Sequence, residues 1–151
     1  MSAGPVPAWS RESLQARIDR APFNAWLGLE LVDWDADGIS MRLRMRRELC
    51  GHATLNALHG GILASVIDTG CSMAVVARTG ESVFTVDMRV DYLRPATAEE
   101  YTIRAEVVRL GRTLATADAR VIAADGKLVA TGRAVLQHIA QVGPDADPPA
   151  A

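Results

Sequence analysis

Residues 60–78 read GGILASVIDTGCSMAVVAR, and this stretch decides the fold. Nine of its apolar side chains point in every direction of a helical wheel: Ile62, Leu63, Ala64, Val66, Ile67, Met73, Ala74, Val75 and Val76. A helix that is apolar all round is typical of a buried helix. Asp68, in the middle of the stretch, is the exception. An unpaired carboxylate in an apolar interior is costly, so we expect Asp68 to face a cavity, find a partner or take up a proton.

On both sides of this helix the apolar residues recur with period two, which is typical of strands with one buried face. The alternating or strand-like runs are 39–46, 84–92, 99–109, 113–123 and 127–138, and Trp26–Asp35 is predicted as the partner of the first. A short amphipathic helix is predicted from Ser10, ending before Pro22. The order β-β-α-β-β-β-β with short late connections predicts an antiparallel meander. We therefore predict an α+β hotdog fold, in which a curved antiparallel sheet wraps one long central helix.

The composition predicts one domain and excludes several classes of protein. With 151 residues and a net charge of −2, we expect a single domain over 10–142, flanked by flexible tails at 1–9 and 143–151. This charge gives no electrostatic footprint for a nucleic-acid partner. Two cysteines without a CxxC pattern argue against a disulfide scaffold or zinc site, and we expect no metal or cofactor.

The predicted location is the cytoplasm. Met1–Trp9 contains no apolar leader segment. The apolar run Ile62–Val76 is judged too short to span a bilayer, and it contains Asp68, so we expect no membrane partner.

The start of the central helix carries a second chemical signal. Gly60 and Gly61 follow His59, and glycines at a helix N-terminus let a ligand carbonyl approach unpaired backbone N–H groups, which is the arrangement of an oxyanion hole. Seven residues, roughly 10 Å of helix, separate Gly61 from Asp68. If both act on one atom, a second copy of the chain must bring them together. Alternatively, the glycines open a tight turn and Asp68 bonds a core hydroxyl.

The phrase LHGGILASVID at 58–68 resembles the signature of hotdog acyl-CoA thioesterases of the PaaI-like group. The runs at 85–88 (TVDM), 92–96 (YLRPA) and 110–113 (LGRT) resemble other parts of that family, so the resemblance covers about residues 24–139. It implies hydrolysis of an acyl-CoA to a free acid and CoA without a cofactor. Asp68 would be general base or nucleophile, the Gly60 N–H would polarise the carbonyl, His59 would shape the site, and Thr85 would help hold the water. It also implies a homodimer that pairs into a tetramer.

One position departs from the family pattern. Where many members carry an asparagine before the histidine, this chain has His52, while Asn56 is a possible substitute. Besides the enzyme, this leaves open a non-catalytic binder of acyl thioesters or lipids. An enoyl-thioester hydratase or dehydratase is a further alternative, although its usual motif context is not seen.

Candidate substrate contacts lie outside the catalytic group as well. Gly61, Arg94 and Arg112 are candidates for contacts with CoA, the two arginines because guanidinium groups bind phosphates well. The apolar side chains that could line an acyl pocket, or simply form core, are Phe23, Trp26, Met73, Met88 and Val90.

Overall fold

The computed structural model describes residues 7–52 and 54–139. Its helices are α1 (Arg11–Asp19), α2 (Pro22–Leu27) and α3 (Gly60–Thr79), with a short 3-10 turn at Arg47–Leu49. Its strands are β1 (Glu30–Trp34), β2 (Gly38–Arg44), β3 (Val83–Tyr92), β4 (Glu100–Leu110), β5 (Leu114–Ala123) and β6 (Leu128–His138). From β1 onward, the order of strands and central helix agrees with the order predicted from the sequence.

The six strands form one antiparallel sheet in the order β1-β2-β4-β5-β6-β3. The predicted meander is present in β4, β5 and β6, which pair in succession. β3 does not join β4, its neighbour in sequence, but pairs with β6 at the far side of the sheet. β3 therefore forms one edge of the sheet, with β1 at the other.

The sheet wraps α3, which confirms the predicted hotdog fold. α3 contacts five strands, β2 to β6, and most of its apolar side chains are buried. The helix can approach the sheet closely at Gly70, because this residue has no side chain. A Cβ at this position would lie only 3.0 Å from Ile103 Cγ2. All-round burial is therefore the physical reason for the apolar character of this helix.

The length argument against a membrane span is wrong, because α3 has 20 residues and is long and apolar enough to cross a bilayer. In this structure, however, 61% of the most apolar 18-residue stretch of α3 is buried inside the protein. The helix is thus accounted for as a core helix.

The chain before the sheet differs from the prediction in one respect. α1 begins at a capping box between Ser10 and Ser13 and ends before Pro22, as expected. The strand predicted over Trp26–Asp35 is shorter, because Pro22 starts α2 and Gly28 ends it with a left-handed φ of 71°. The segment 26–28 therefore belongs to a helix end, and β1 begins only at Glu30.

Of the two predicted tails, only residues 7–9 are described. Residues 1–6 and 140–151 lie outside the described residues, and with them the whole of the predicted C-terminal tail. At the end of the predicted N-terminal tail, Trp9 contacts the core helix, where its Nε1–H donates to the Ala77 carbonyl at 2.9 Å.

A β-bulge in β3 changes which side chains face the helix. Thr85 pairs with Leu136 and Asp87 with Val135, so Val86 is an extra residue in the register. Before the bulge, Thr85 lies opposite the buried Leu136; after it, Met88 lies opposite the buried Ala134. Because cross-strand partners share a face, Thr85 and Met88 both face inward, although plain alternation puts them on opposite faces.

Candidate active site

His59 caps the N-terminus of α3 and leaves one of its backbone donors unpaired within the part of the chain that the structure describes. His59 is the N-cap residue, and its Nδ1 accepts a hydrogen bond from the Gly61 N–H at 2.8 Å. The backbone N–H of His59 donates to the Leu49 carbonyl at 2.8 Å, which fixes how the loop enters the helix. Within the described residues the Gly60 N–H has no hydrogen-bond partner. Of the two glycines, Gly60 is thus the one whose donor is free, whereas the donor of Gly61 is occupied.

Asp68 lies two turns further along α3 and is half-buried. Its Oδ1 accepts a hydrogen bond from the Thr85 hydroxyl at 2.6 Å. This distance is that of a short O–H···O hydrogen bond. The bulge in β3 is the reason that Thr85 faces the helix. The carboxylate therefore has one fixed oxygen and a second one available to a ligand or a water molecule.

A cavity of about 300 Å³ adjoins Asp68 between α2 and α3. It is lined by Ala21, Phe23, Asn24, Ser65, Asp68, Thr69, Ser72 and Met73. Two of the five side chains considered for an acyl pocket, Phe23 and Met73, are in this lining. The other three are not; Trp26 instead stacks on Phe23 with ring centroids 5.8 Å apart.

The loop before His59 surrounds a second cavity, of about 530 Å³. Its lining is Arg47, Cys50, Gly51, His52, Thr54, Leu55 and Asn56. His52 Nδ1 accepts from the backbone N–H groups of Thr54 and Leu55, both at 3.2 Å, so this nitrogen stabilises the turn. Asn56 Oδ1 accepts from the Cys50 thiol at 3.3 Å. Both candidate substitutes for the family asparagine therefore hold the loop together.

The two candidate phosphate ligands are on different parts of the sheet. Arg94 follows β3 and donates from Nη1 to the Leu128 carbonyl at 2.6 Å. Arg112 is exposed in the turn between β4 and β5, and its guanidinium has no partner within the described chain.

The sequence reasoning missed one residue of this region. The Tyr92 hydroxyl donates to the Gly60 carbonyl at 3.0 Å, and its ring would lie 3.4 Å from a Cβ on Gly60. Tyr92 thus connects the end of β3 to the start of α3. The only sequence signal was its place in the YLRPA run, and nothing in that run showed which helix end it would reach.

Within one copy of the chain, the Gly60 N–H and the Asp68 carboxylate lie far apart. Gly60 and Asp68 are eight residues apart on one helix, which corresponds to about 12 Å along its axis. No cluster of three or more His, Cys, Asp or Glu side chains suited to a metal ion occurs in the described ranges 7–52 and 54–139. The chemistry that these groups offer is therefore a carboxylate acting on water and a backbone donor acting on a carbonyl oxygen.

The fold and these groups define a hotdog protein with a carboxylate on its central helix. The thioesterase superfamily matches residues 55–130, which is half of the chain. The medium/long-chain acyl-CoA thioesterase YigI of Escherichia coli is 30% identical over 111 residues, covering 64% of this chain and 72% of the relative. Human acyl-coenzyme A thioesterase 13 is 31% identical over 127 residues, covering 82% of this chain and 89% of that protein.

A solved structure agrees with these relatives. The crystal structure of a thioesterase family protein from Silicibacter pomeroyi has a TM-score of 0.75 and 31% identity, covering 83% of this chain and 95% of that one. The chain therefore belongs to the thioesterase superfamily, and it is a thioester hydrolase.

Proposed function

We propose that this protein is an acyl-CoA thioesterase of the PaaI-like group, which hydrolyses an acyl-CoA to a free carboxylic acid and CoA. The single observation that carries the proposal is the Asp68 carboxylate, held by Thr85 at 2.6 Å beside a cavity that can take an acyl group. The names of the relatives, which hydrolyse acyl-CoA thioesters, support the same substrate class.

In this proposal Asp68 acts as general base on a water molecule, or as nucleophile toward the thioester carbonyl. Thr85 donates to one carboxylate oxygen, which leaves the other directed at the water or the carbonyl carbon. As the tetrahedral intermediate forms, negative charge develops on the former carbonyl oxygen. If Asp68 acts as general base, it takes a proton from the attacking water and passes it to the sulfur as the C–S bond breaks, so that the free acid and CoA leave. If Asp68 is the nucleophile, the C–S bond breaks as the acyl group forms a mixed anhydride with the carboxylate, and the CoA thiolate takes a proton from solvent. Water then hydrolyses the anhydride, which releases the acid and restores Asp68.

The Gly60 N–H stabilises the developing oxyanion. It lies at the positive end of a 20-residue helix and has no partner within the described residues. His59 contributes by capping the neighbouring Gly61 N–H, which fixes the first turn of the helix. His59 thereby leaves the Gly60 donor for the substrate. Gly61 makes this cap possible, because a Cβ at that position would lie 2.9 Å from His59 Nδ1.

The active site is formed by two copies of the chain, with Asp68 and Thr85 from one and Gly60 from the other. The separation of about 12 Å along one helix supports this, because a single copy cannot bring both groups to one carbonyl. The edge strand β3 is ten residues long, and on it Phe84 and Val86 are 67% and 58% exposed. A long apolar edge of this kind is a pairing surface. We propose a homodimer through β3, assembled further into a tetramer.

The remaining candidates bind the rest of the substrate. Arg94 and Arg112 are proposed to contact CoA phosphates. The loop with His52 and Asn56 is proposed to border the thioester in place of the family asparagine.

Both cysteines are free thiols, which agrees with the reducing cytoplasm that we propose as the location.

The test of the activity is hydrolysis of a panel of acyl-CoAs, with the released thiol measured. Asp68→Asn keeps the size of the side chain and removes the base, so we expect its turnover to fall by at least 100-fold. Circular dichroism of the variant controls for folding. Equal activity of parent and variant on every substrate would show that Asp68 has been assigned wrongly. Tight acyl-CoA binding without turnover by the parent would favour the non-catalytic binder instead.

The shared site is tested by mixing two inactive variants. Gly60→Pro removes the backbone donor at the first helical position, where proline is tolerated, while Gly60→Ala is the matched control that keeps the N–H. We expect Gly60→Pro to lose 100- to 1,000-fold in kcat.

Subunit exchange between Gly60→Pro and Asp68→Asn then creates heterodimers with one intact site. About a quarter of the parent activity should return, since half of the dimers are mixed and each has one of two sites. If each site were formed within one chain, mixing the two variants would restore no activity, and the shared site would be refuted.

A further inference from the structure

One hydroxyl in the lining of the cavity next to Asp68 is not engaged. The Ser65 hydroxyl donates to the Gly61 carbonyl at 2.7 Å, and the Thr69 hydroxyl donates to Asn24 Oδ1 at 3.0 Å. Within the described residues the Ser72 hydroxyl has no partner. Serine in a helix commonly bonds the carbonyl four residues earlier, as Ser65 does here, but Ser72 does not. Ser72 therefore offers a free donor to whatever occupies the cavity.

The position of Ser72 fixes how far from the reacting carbon such a donor acts. Ser72 follows Asp68 by four residues, so both lie on the same face of α3, about 6 Å apart along the axis. A thioester carbonyl beside Asp68 would send its acyl group along this face. With carbon–carbon bonds of about 1.5 Å in a zigzag, four to five bonds span that distance. An acyl oxygen that accepts a hydrogen bond from Ser72 would therefore be carried by the γ or δ carbon, or by the equivalent position of a ring.

We infer that Ser72 is a specificity-determining residue, which donates a hydrogen bond to an acceptor oxygen on the γ or δ carbon of the acyl group. The inference rests on the proposed acyl-CoA thioesterase function and names its substrate class: acyl-CoAs with a keto, ether or hydroxyl oxygen at that distance. Phe23 and Met73 supply apolar contact for the carbon skeleton in the same cavity. The volume of about 300 Å³ suits a compact acyl group of this kind.

The preference has a physical cause in desolvation. A plain alkyl chain in the cavity displaces water from the half-buried Ser72 hydroxyl and replaces none of its hydrogen bonds. An acyl group with an oxygen on the γ or δ carbon restores one of these hydrogen bonds. A site that is built to bond a polar group rejects the analogue that lacks it more strongly than an apolar site distinguishes two alkyl chains.

The experiment compares two substrates of nearly equal shape, δ-oxohexanoyl-CoA and δ-methylhexanoyl-CoA. Values of kcat/KM are measured for the parent, for Ser72→Ala and for Ser72→Thr, which keeps the hydroxyl. We expect the parent to prefer the keto substrate by about 3- to 10-fold, as one neutral hydrogen bond allows. In Ser72→Ala the ratio should fall to about one, whereas Ser72→Thr should retain a preference. A parent without preference, or a ratio unchanged in Ser72→Ala, would overturn the inference.

A second measurement separates this inference from the proposed activity. Calorimetric binding of the same two acyl-CoAs is measured in the Asp68→Asn background, with and without Ser72→Ala. Hydrolysis of no acyl-CoA by the parent would refute the proposed function, but a keto preference in binding that depends on Ser72 would still uphold the role of the cavity. Hydrolysis without any Ser72 dependence in either measurement would refute the role of Ser72 alone.

Discussion

The hydrogen bond between Thr85 and Asp68 gives the most direct test of the site. Thr85→Val replaces the hydroxyl with a methyl group of similar size and removes the 2.6 Å donor to Oδ1. Hydrogen bonds to charged groups contribute about 1.5–3 kcal/mol. Because Thr85 is exposed in this structure, water competes for the carboxylate, and the lower end of that range applies. A loss of about 1.5 kcal/mol corresponds to roughly tenfold in rate.

The assay is kcat/KM for the best substrate of the acyl-CoA panel, measured beside thermal denaturation. We expect Thr85→Val to lose about tenfold in kcat/KM and at most about 1.5 kcal/mol in the free energy of unfolding, because the same hydrogen bond is present in the free protein, so the variant stays folded at the assay temperature. Thr85→Ser is the matched control because it keeps the hydroxyl, and it should retain most of the activity. The reasoning is refuted if Thr85→Val is as active as the parent, or if Thr85→Ser loses as much as Thr85→Val.

Three further predictions concern the scaffold. Gly132→Ala should lower the free energy of unfolding by about 1–3 kcal/mol, because its new Cβ would lie 2.8 Å from a backbone oxygen of β3; an unchanged urea midpoint would contradict this. In the native protein, alkylation should modify the half-exposed Cys50 and spare Cys71, since burial raises the pKa of the Cys71 thiol to about 12; mass spectrometry showing two rapid modifications would contradict it. The hydrogen bond from Arg133 lowers the pKa of Asp118, so Arg133→Ala should raise that pKa, as followed by NMR titration. The stabilisation by this pair should be present at neutral pH and be lost as the pH falls through the lowered pKa; a parent and variant that differ equally at neutral and acid pH would contradict this.

Local patterns predicted the elements of the fold well where one periodicity persisted. The all-round apolar stretch gave the central helix, and the alternation over 84–92 gave β3. The prediction was wrong over Trp26–Gly28, where Pro22 and Gly28 delimit a helix of six residues. So short a helix has too few turns to show a periodic pattern, and apolar residues there are compatible with a strand as well.

Part of the candidate site was also accessible from the sequence. Asp68 was conspicuous because a carboxylate is costly in an apolar helix, and the glycines after His59 marked the helix start. Thr85 came from resemblance alone, since alternation put it on the face of Asp87 and Arg89. The extra residue Val86 reverses that assignment, and a bulge depends on the pairing with β6, which is about 50 residues away in the chain. Ser72 carried no signal, because a free hydroxyl can be recognised only when its neighbours are known.

The amino-acid sequence by itself determined the elements that depend on neighbouring residues. These are the period of each strand, the apolar helix and the start of α3 at the glycine pair, and they follow from backbone geometry and local burial. Only the tertiary structure decided that β3 lies at the edge of the sheet, that its bulge turns Thr85 toward Asp68, and that α2 closes a cavity beside them. These features depend on which distant segments pack together, and a one-residue change of register is enough to turn every side chain of a strand to its other face.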